Sequence, residues 1–136
     1  MNDDPGERGR LRVLIVDDEP SVCKALSQVL LRAGFETVVA PGTVEADALL
    51  DDAIDAMVLD LRVPYMRGDV FFHLATARFP KLRGRTVMIS GDISQEAERL
   101  MSLTGCPSLW KPFPNTDLVN MLRSFFRESG SAVGVG

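Results

Sequence analysis

The sequence has 136 residues, 46% of them hydrophobic and 25% charged, with a net charge of −4. That is one domain with a core of its own, needing neither disulfides nor a structural metal, and the negative balance argues against a surface built for nucleic acid. No apolar run approaches the roughly 18 residues of a membrane span, and no basic-then-apolar leader precedes the first strand, so a cytoplasmic protein that touches neither membrane nor nucleic acid directly is expected.

Residues 1–10 are polar, with Pro5 and two glycines, and read as a flexible leader. Residues 11–16 are almost all apolar and rich in β-branched side chains, a central strand, and they end on Asp17-Asp18-Glu19-Pro20. Pro20 suits the first turn of a helix, where its missing N–H costs nothing. Val22, Ala25, Leu26, Val29, Leu30 and Ala33 then fall at helical spacing on one face, and Gly34 stops the helix. Cys23 reads as helix core and the distant Cys106 as a loop residue, both reduced.

Residues 35–40 form a second strand, and Pro41-Gly42-Thr43 turns into a short helix whose stripe is Ala46, Leu49 and Leu50. Residues 56–60 are a third strand, an apolar run ending abruptly on Asp60, with a turn containing Pro64 and Gly68 behind it. A helix over 69–77 follows, with Val70, Phe71, Leu74 and Ala77 as core. Phe71-Phe72 and Phe125-Phe126 read as one core ring and one spare ring each, the spare rings being candidates for a partner patch. His73, the single histidine, reads as structural or solvated. Residues 86–90 make a fourth strand ending on Ser90. Asp92 and Ser94 are candidate N-caps for a helix over 95–103, and 108–110 is a short fifth strand ending at Lys111. The last helix carries Leu118, Met121, Leu122 and Phe125, and 129–136 reads as a flexible tail.

Regular alternation of strand and helix implies a parallel sheet covered on both faces. The expected fold is α/β: a single flavodoxin-like, doubly wound, five-stranded sheet of order 2-1-3-4-5 with five helices, over one domain of residues 11–128. In such a sheet the carboxyl ends of the strands share one edge, so Asp17, Asp18, Asp60, Ser90 and Lys111 converge there. Three carboxylates in one pocket repel by about 4 kcal/mol per pair at 4 Å and an effective dielectric near 20, more than Lys111 alone offsets. Mg²⁺, which takes one or two carboxylates together with waters and phosphate oxygens, is the natural remedy. A carboxylate so placed can attack phosphorus and form an acyl phosphate. Lys111 and the cation would then neutralise the phosphoryl oxygens, and Ser90 would donate a hydrogen bond to one of them.

Asp17-Asp18-Glu19-Pro20, Asp60 with Pro64 and Gly68, Ser90-Gly91 and Lys111-Pro112-Phe113 together resemble the response-regulator receiver domain of two-component signalling, from about Leu11 to Phe126. The resemblance implies that Asp60 is the phosphoacceptor, with Lys111 and Ser90 completing the catalytic set. It implies that Asp18, Asp60 and the backbone carbonyl of Arg62 bind Mg²⁺ directly, with Asp17 acting mostly through water. The donor would be a phosphohistidine on a sensor histidine kinase or histidine phosphotransfer protein, or a small acyl phosphate. Arg62 and Asp92 hold positions that flank the attacking water's path in the family. The chain would not be an enzyme beyond its own phosphorylation and dephosphorylation, and its output would pass through an unknown partner or a homodimer.

One departure stands out: where the family usually has Tyr or Phe three residues before the lysine, this chain has Ser108. Trp110, of the same strand parity, is expected to cover part of the missing ring's surface. The 105–113 run also resembles receivers attached to hybrid sensor kinases. Two other functions compete. A phosphohydrolase with an Asp nucleophile of the haloacid dehalogenase type would want an acid two residues after the nucleophile, where Arg62 stands. A receiver-like binding module that is never phosphorylated would be favoured only by loss of the acids, which are present.

Overall fold

The computed structural model describes residues 9–135, with side chains through Arg127. The strands are β1 Arg12–Val16, β2 Glu36–Ala40, β3 Ala56–Asp60, β4 Thr86–Ser90 and β5 Ser108–Trp110. The helices are α1 Pro20–Arg32, α2 Thr43–Leu49, α3 Gly68–Arg78, α4 Gln95–Ser102 and α5 Asn115–Val135, with a 3₁₀ turn over Pro80–Gly84. The sheet is five-stranded, every pairing is parallel, and the order is β2-β1-β3-β4-β5, which is the order expected.

Alternation along the central strands divides the core in two. Val13, Ile15, Ala56, Val58, Val87 and Ile89 face α1 and α5, meeting Leu26, Leu30, Leu118 and Leu122. Leu14, Val16, Met57, Leu59 and Met88 face the other side, meeting Ala46, Phe71, Phe72, Leu100 and Met101. Strands buried on both faces read as continuous apolar runs, and β1, β3 and β4 are buried almost throughout.

Helix α1 begins at Pro20 and closes with a left-handed Gly34 (φ 99°). The Phe35 amide donates to Leu30 O at 3.0 Å and the Gly34 amide to Leu31 O at 3.1 Å. This paired closure satisfies the last carbonyls of the helix. Ser94, not Asp92, caps α4, its hydroxyl accepting from the Ala97 amide at 3.1 Å.

Two helix faces differ from the expected ones. On α3 the buried residues are Gly68, Asp69, Phe71, Phe72, Ala75 and Thr76, whereas Val70, Leu74 and Ala77 are exposed. Phe72 is therefore core, not a spare ring, and Phe125 and Phe126 both pack partly buried beneath α5. The Thr76 hydroxyl satisfies itself on Phe72 O at 2.8 Å, which lets a polar residue take a core position. On α2, Thr43, Ala46 and Leu50 are buried and Leu49 is exposed. The leader expected over 1–10 lies, up to residue 8, outside the described residues. Helix α5 continues as backbone through Val135, over positions read from sequence as a tail.

Candidate functional site at the carboxyl edge of the sheet

The ladder extends one residue past β1 and β3. The Asp17 amide donates to Ala40 O at 3.1 Å and the Leu61 amide to Ile89 O at 2.9 Å. These bonds hold the chain extended long enough to bury Asp17 and Asp60 at the strand ends. The Lys111 amide donates to Ser90 O at 2.8 Å, so the lysine starts from the neighbouring strand end, followed by a cis bond to Pro112. Behind β3 the loop folds back, and the Gly68 amide donates to Leu61 O at 2.9 Å. Gly68 lies so close beneath Asp60 that a Cβ there would overlap the Asp60 carbonyl.

The Lys111 ammonium is the centre of the site. Its Nζ donates to Asp17 Oδ2 at 2.7 Å, to Asp60 Oδ2 at 2.9 Å and to Glu19 Oε1 at 3.1 Å. The second Asp60 oxygen, Oδ1, accepts from the Arg62 amide at 3.1 Å, and Asp17 Oδ1 accepts from the Glu19 amide at 2.9 Å. Burial pushes the Asp60 carboxyl up to about 6. The Lys111 hydrogen bond pulls the other way, and the negative charge of Asp17 adds to the rise. Burial also works against the charged form of Lys111, but its bonds to Asp17, Asp60 and Glu19 hold it well above the ordinary lysine range.

The remaining expected residues are distributed unevenly. The Ser90 hydroxyl sits at the end of β4 and accepts from the Asp92 amide at 3.0 Å. Asp18 is exposed, and the acids whose oxygens come within 4.8 Å of one another are Asp17, Glu19 and Asp60. Glu19 was not among the residues expected here. Its signal was the spacing from Asp17, two residues on, where its amide bonds to Asp17 Oδ1 and its carboxylate reaches Lys111. The Arg62 side chain bridges to Asp92 and Glu96 at the start of α4. His73 is exposed on α3, and Cys23 is a buried free thiol whose Sγ donates to Asp17 O at 3.0 Å. The thiol is pushed up by burial, which keeps it protonated.

The model of the response regulator receiver domain family matches residues 13–123. The chain belongs to that family. Among curated relatives, the transcriptional regulatory protein CpxR of Klebsiella pneumoniae is 33% identical over 122 residues, which are 87% of this chain and 50% of that protein. The sensory/regulatory protein RpfC of Xanthomonas campestris is 28% identical over 116 residues, 82% of this chain and 16% of its own length. The receiver thus spans about half the length of the CpxR proteins it matches and a smaller part of RpfC. Among solved structures, a CheY-like receiver from Methanospirillum hungatei superposes with a TM-score of 0.79 at 24% identity, covering 90% of this chain and 98% of that one. The chemotaxis response regulator CheY4 of Vibrio cholerae follows at 0.74 and 27%, covering 85% and 98%. Among the described residues, no helix of this receiver is long and apolar enough to cross a membrane.

Proposed function

We infer that this receiver is the phosphoacceptor of a cytoplasmic two-component phosphorelay and that Asp60 takes the phosphoryl group. The observation that carries the reading is the triple bond set of Lys111, which holds one oxygen of a buried Asp60 at 2.9 Å beside Asp17. An Asp60 oxygen attacks phosphorus. The P–N bond of a phosphohistidine breaks and the imidazole leaves with the electron pair, giving an acyl phosphate. The donor is a sensor histidine kinase or a histidine phosphotransfer protein, and a small acyl phosphate serves the same chemistry. Lys111 is already in place to pair with the new phosphoryl oxygens, and Ser90 turns from Asp92 toward them.

The donor set also fits Mg²⁺. Three carboxylates, Asp17, Glu19 and Asp60, against the one ammonium of Lys111 leave an excess of negative charge in a site of hard oxygens. By the likeness to the family, Asp60, Asp18 and the Arg62 carbonyl would hold the ion directly, Asp18 turning in from its exposed position outside the Asp17, Glu19 and Asp60 group, with Asp17 behind a water, and when bound the ion supplies charge neutralisation at the phosphoryl oxygens. The phosphoryl oxygens, carrying about −2 in place of the single charge of the carboxylate, draw Ser90 and Lys111 inward and repack α4, β5 and α5 as a two-state surface for a partner or a second copy. The phosphohydrolase reading loses ground because Arg62, where the general acid would stand, is engaged with Asp92 and Glu96.

The test is incubation with Mg²⁺ and acetyl phosphate followed by intact mass. The chain gains one phosphoryl group, Asp60→Asn gains none, and omission of Mg²⁺ suppresses the gain. Turnover of unrelated phosphate esters, or labelling that survives Asp60→Asn, would overturn the reading.

A further inference from the structure

The phosphoacceptor reading uses only the backbone of Arg62, yet its side chain ties two elements together. The guanidinium donates through Nε to Asp92 Oδ2 at 3.0 Å and through Nη2 to Glu96 Oε1 at 3.2 Å, with Nη2 also 2.8 Å from Asp92 Oδ2. Both feet of this bridge stand on groups of the site. The Arg62 amide donates to Asp60 Oδ1 at 3.1 Å, and the Asp92 amide donates to Ser90 Oγ at 3.0 Å. From Asp92 the bonding runs on into α4. Asp92 Oδ1 accepts from the Ser94 amide at 2.9 Å, and Ser94 Oγ, the cap, accepts from the Ala97 amide at 3.1 Å. A continuous line of polar contacts therefore leads from the acceptor carboxylate to the first turn of α4, and its one side-chain ion pair is the Arg62 bridge. The side chains of Arg62, Asp92 and Glu96 are 41%, 32% and 64% exposed, so the bridge is worth a few-fold in an equilibrium, not orders of magnitude.

We propose that Arg62 is a positioning strap that holds the first turn of α4 to the β3–α3 loop in the unmodified protein and transfers its guanidinium to the phosphoryl oxygens once Asp60 is modified, releasing α4. The proposal rests on Asp60 being the acceptor and names how the modification reaches α4. Chemistry favours the transfer. A planar guanidinium matches a phosphate face with two parallel hydrogen bonds. The phosphoryl group concentrates about two negative charges where the Asp60 carboxylate had one, against one on each carboxylate that holds the strap, and it sits two residues from Arg62. A bridge this weak is easily exchanged, which a switch requires. Glu96 is the informative partner, because it touches neither Asp60 nor Ser90 and its loss loosens the strap without altering the site.

The experiment is amide hydrogen exchange at Ala97 and Glu98 in the full chain, before and after treatment with Mg²⁺ and acetyl phosphate. In the unmodified chain, Arg62→Gln and Glu96→Gln each raise exchange there by about two- to fivefold, and added salt does the same to the wild type. On phosphorylation the wild type gains that exchange and the two variants, already released, change little. Unaltered exchange in both unmodified variants overturns the strap, as does a wild type that keeps its α4 protection when intact mass shows the phosphoryl group in place. Failure of the mass gain instead removes the acceptor reading and the transfer with it, while the unmodified variants still judge the bridge.

Discussion

Asp60 is held where its charge is costly, and that is a statement about stability as well as chemistry. Its carboxyl lies near 6 in the fold against 3.8 in an ordinary aspartate. Between those values the folded chain binds the proton that the unfolded chain has lost, so stability falls as pH rises through this window and the cost is complete above about 6. Asp60→Asn is therefore expected to stabilise the metal-free protein at pH 7 by about 1–3 kcal/mol, the upper end being two pH units at about 1.4 kcal/mol each. The gain should vanish toward pH 4, which urea unfolding at the two pH values measures. An equal gain at both would mean that burial does not perturb Asp60. The neighbouring acids divide differently. Glu19 is engaged by Lys111 at 3.1 Å, while Asp18 is exposed beside the same edge. Asp18→Asn is expected to weaken Mg²⁺ binding by at least about tenfold, as loss of a ligand should exceed loss of an outer-sphere partner, and Glu19→Gln by far less. Calorimetric titration with Mg²⁺ reads both, and the reverse ranking would put Glu19 on the ion.

At the scale of the element, strands and helices were legible to different depths. The strands at 56–60 and 86–90 were readable to the residue, because a strand buried between two helix layers leaves no polar interruption until it stops, and the short, half-buried edge strand at 108–110 was bounded by the Gly105-Cys106-Pro107 turn and Pro112. The limits of α1 to α4 were nearly as clear, since Pro20, Gly34 and Ser94 act through backbone geometry that is local in sequence, whereas α5 runs on to Val135 over glycine-rich positions that carry no helix signal. Helix faces were less legible. Apolarity put Leu74 in the α3 core, but Leu74 is 53% exposed and Phe72 is 2% exposed. The true face, Gly68, Phe71, Phe72, Ala75 and Thr76, is built partly from small and hydroxyl residues. Gly68 is required because α3 starts so close to the end of β3 that a Cβ there would overlap the Asp60 carbonyl, and Thr76 is tolerated because its hydroxyl bonds to Phe72 O. Phe72→Ala is thus expected to cost about 3–5 kcal/mol and Leu74→Ala no more than about 0.5 kcal/mol. Comparable losses by chemical denaturation would restore the face read from sequence.

At the scale of the whole molecule, the sheet order and the meeting of Asp17, Asp60 and Lys111 were legible because parallel topology sends every strand's carboxyl end to one edge. The Arg62 bridge was not, since its partners lie 30 and 34 residues away on a loop and a helix whose rotation the sequence leaves open. Trp110 lies between these cases. Strand parity put it on the same side as Ser108, and it packs partly buried against the cluster that holds Ala97, Leu100 and Met101 of α4. It also stands in register with Ser90 on the adjoining strand. A movement of Ser90 toward a phosphoryl group and a repacking of α4 would both reach this ring, and it is the single tryptophan of the chain. Its emission should therefore shift to shorter wavelength on phosphorylation, as the ring follows the space vacated toward the sheet edge. Asp60→Asn should abolish the shift. Emission that stays constant while intact mass records full phosphorylation would take Trp110 out of the switch and leave the place of the absent aromatic at position 108 unfilled.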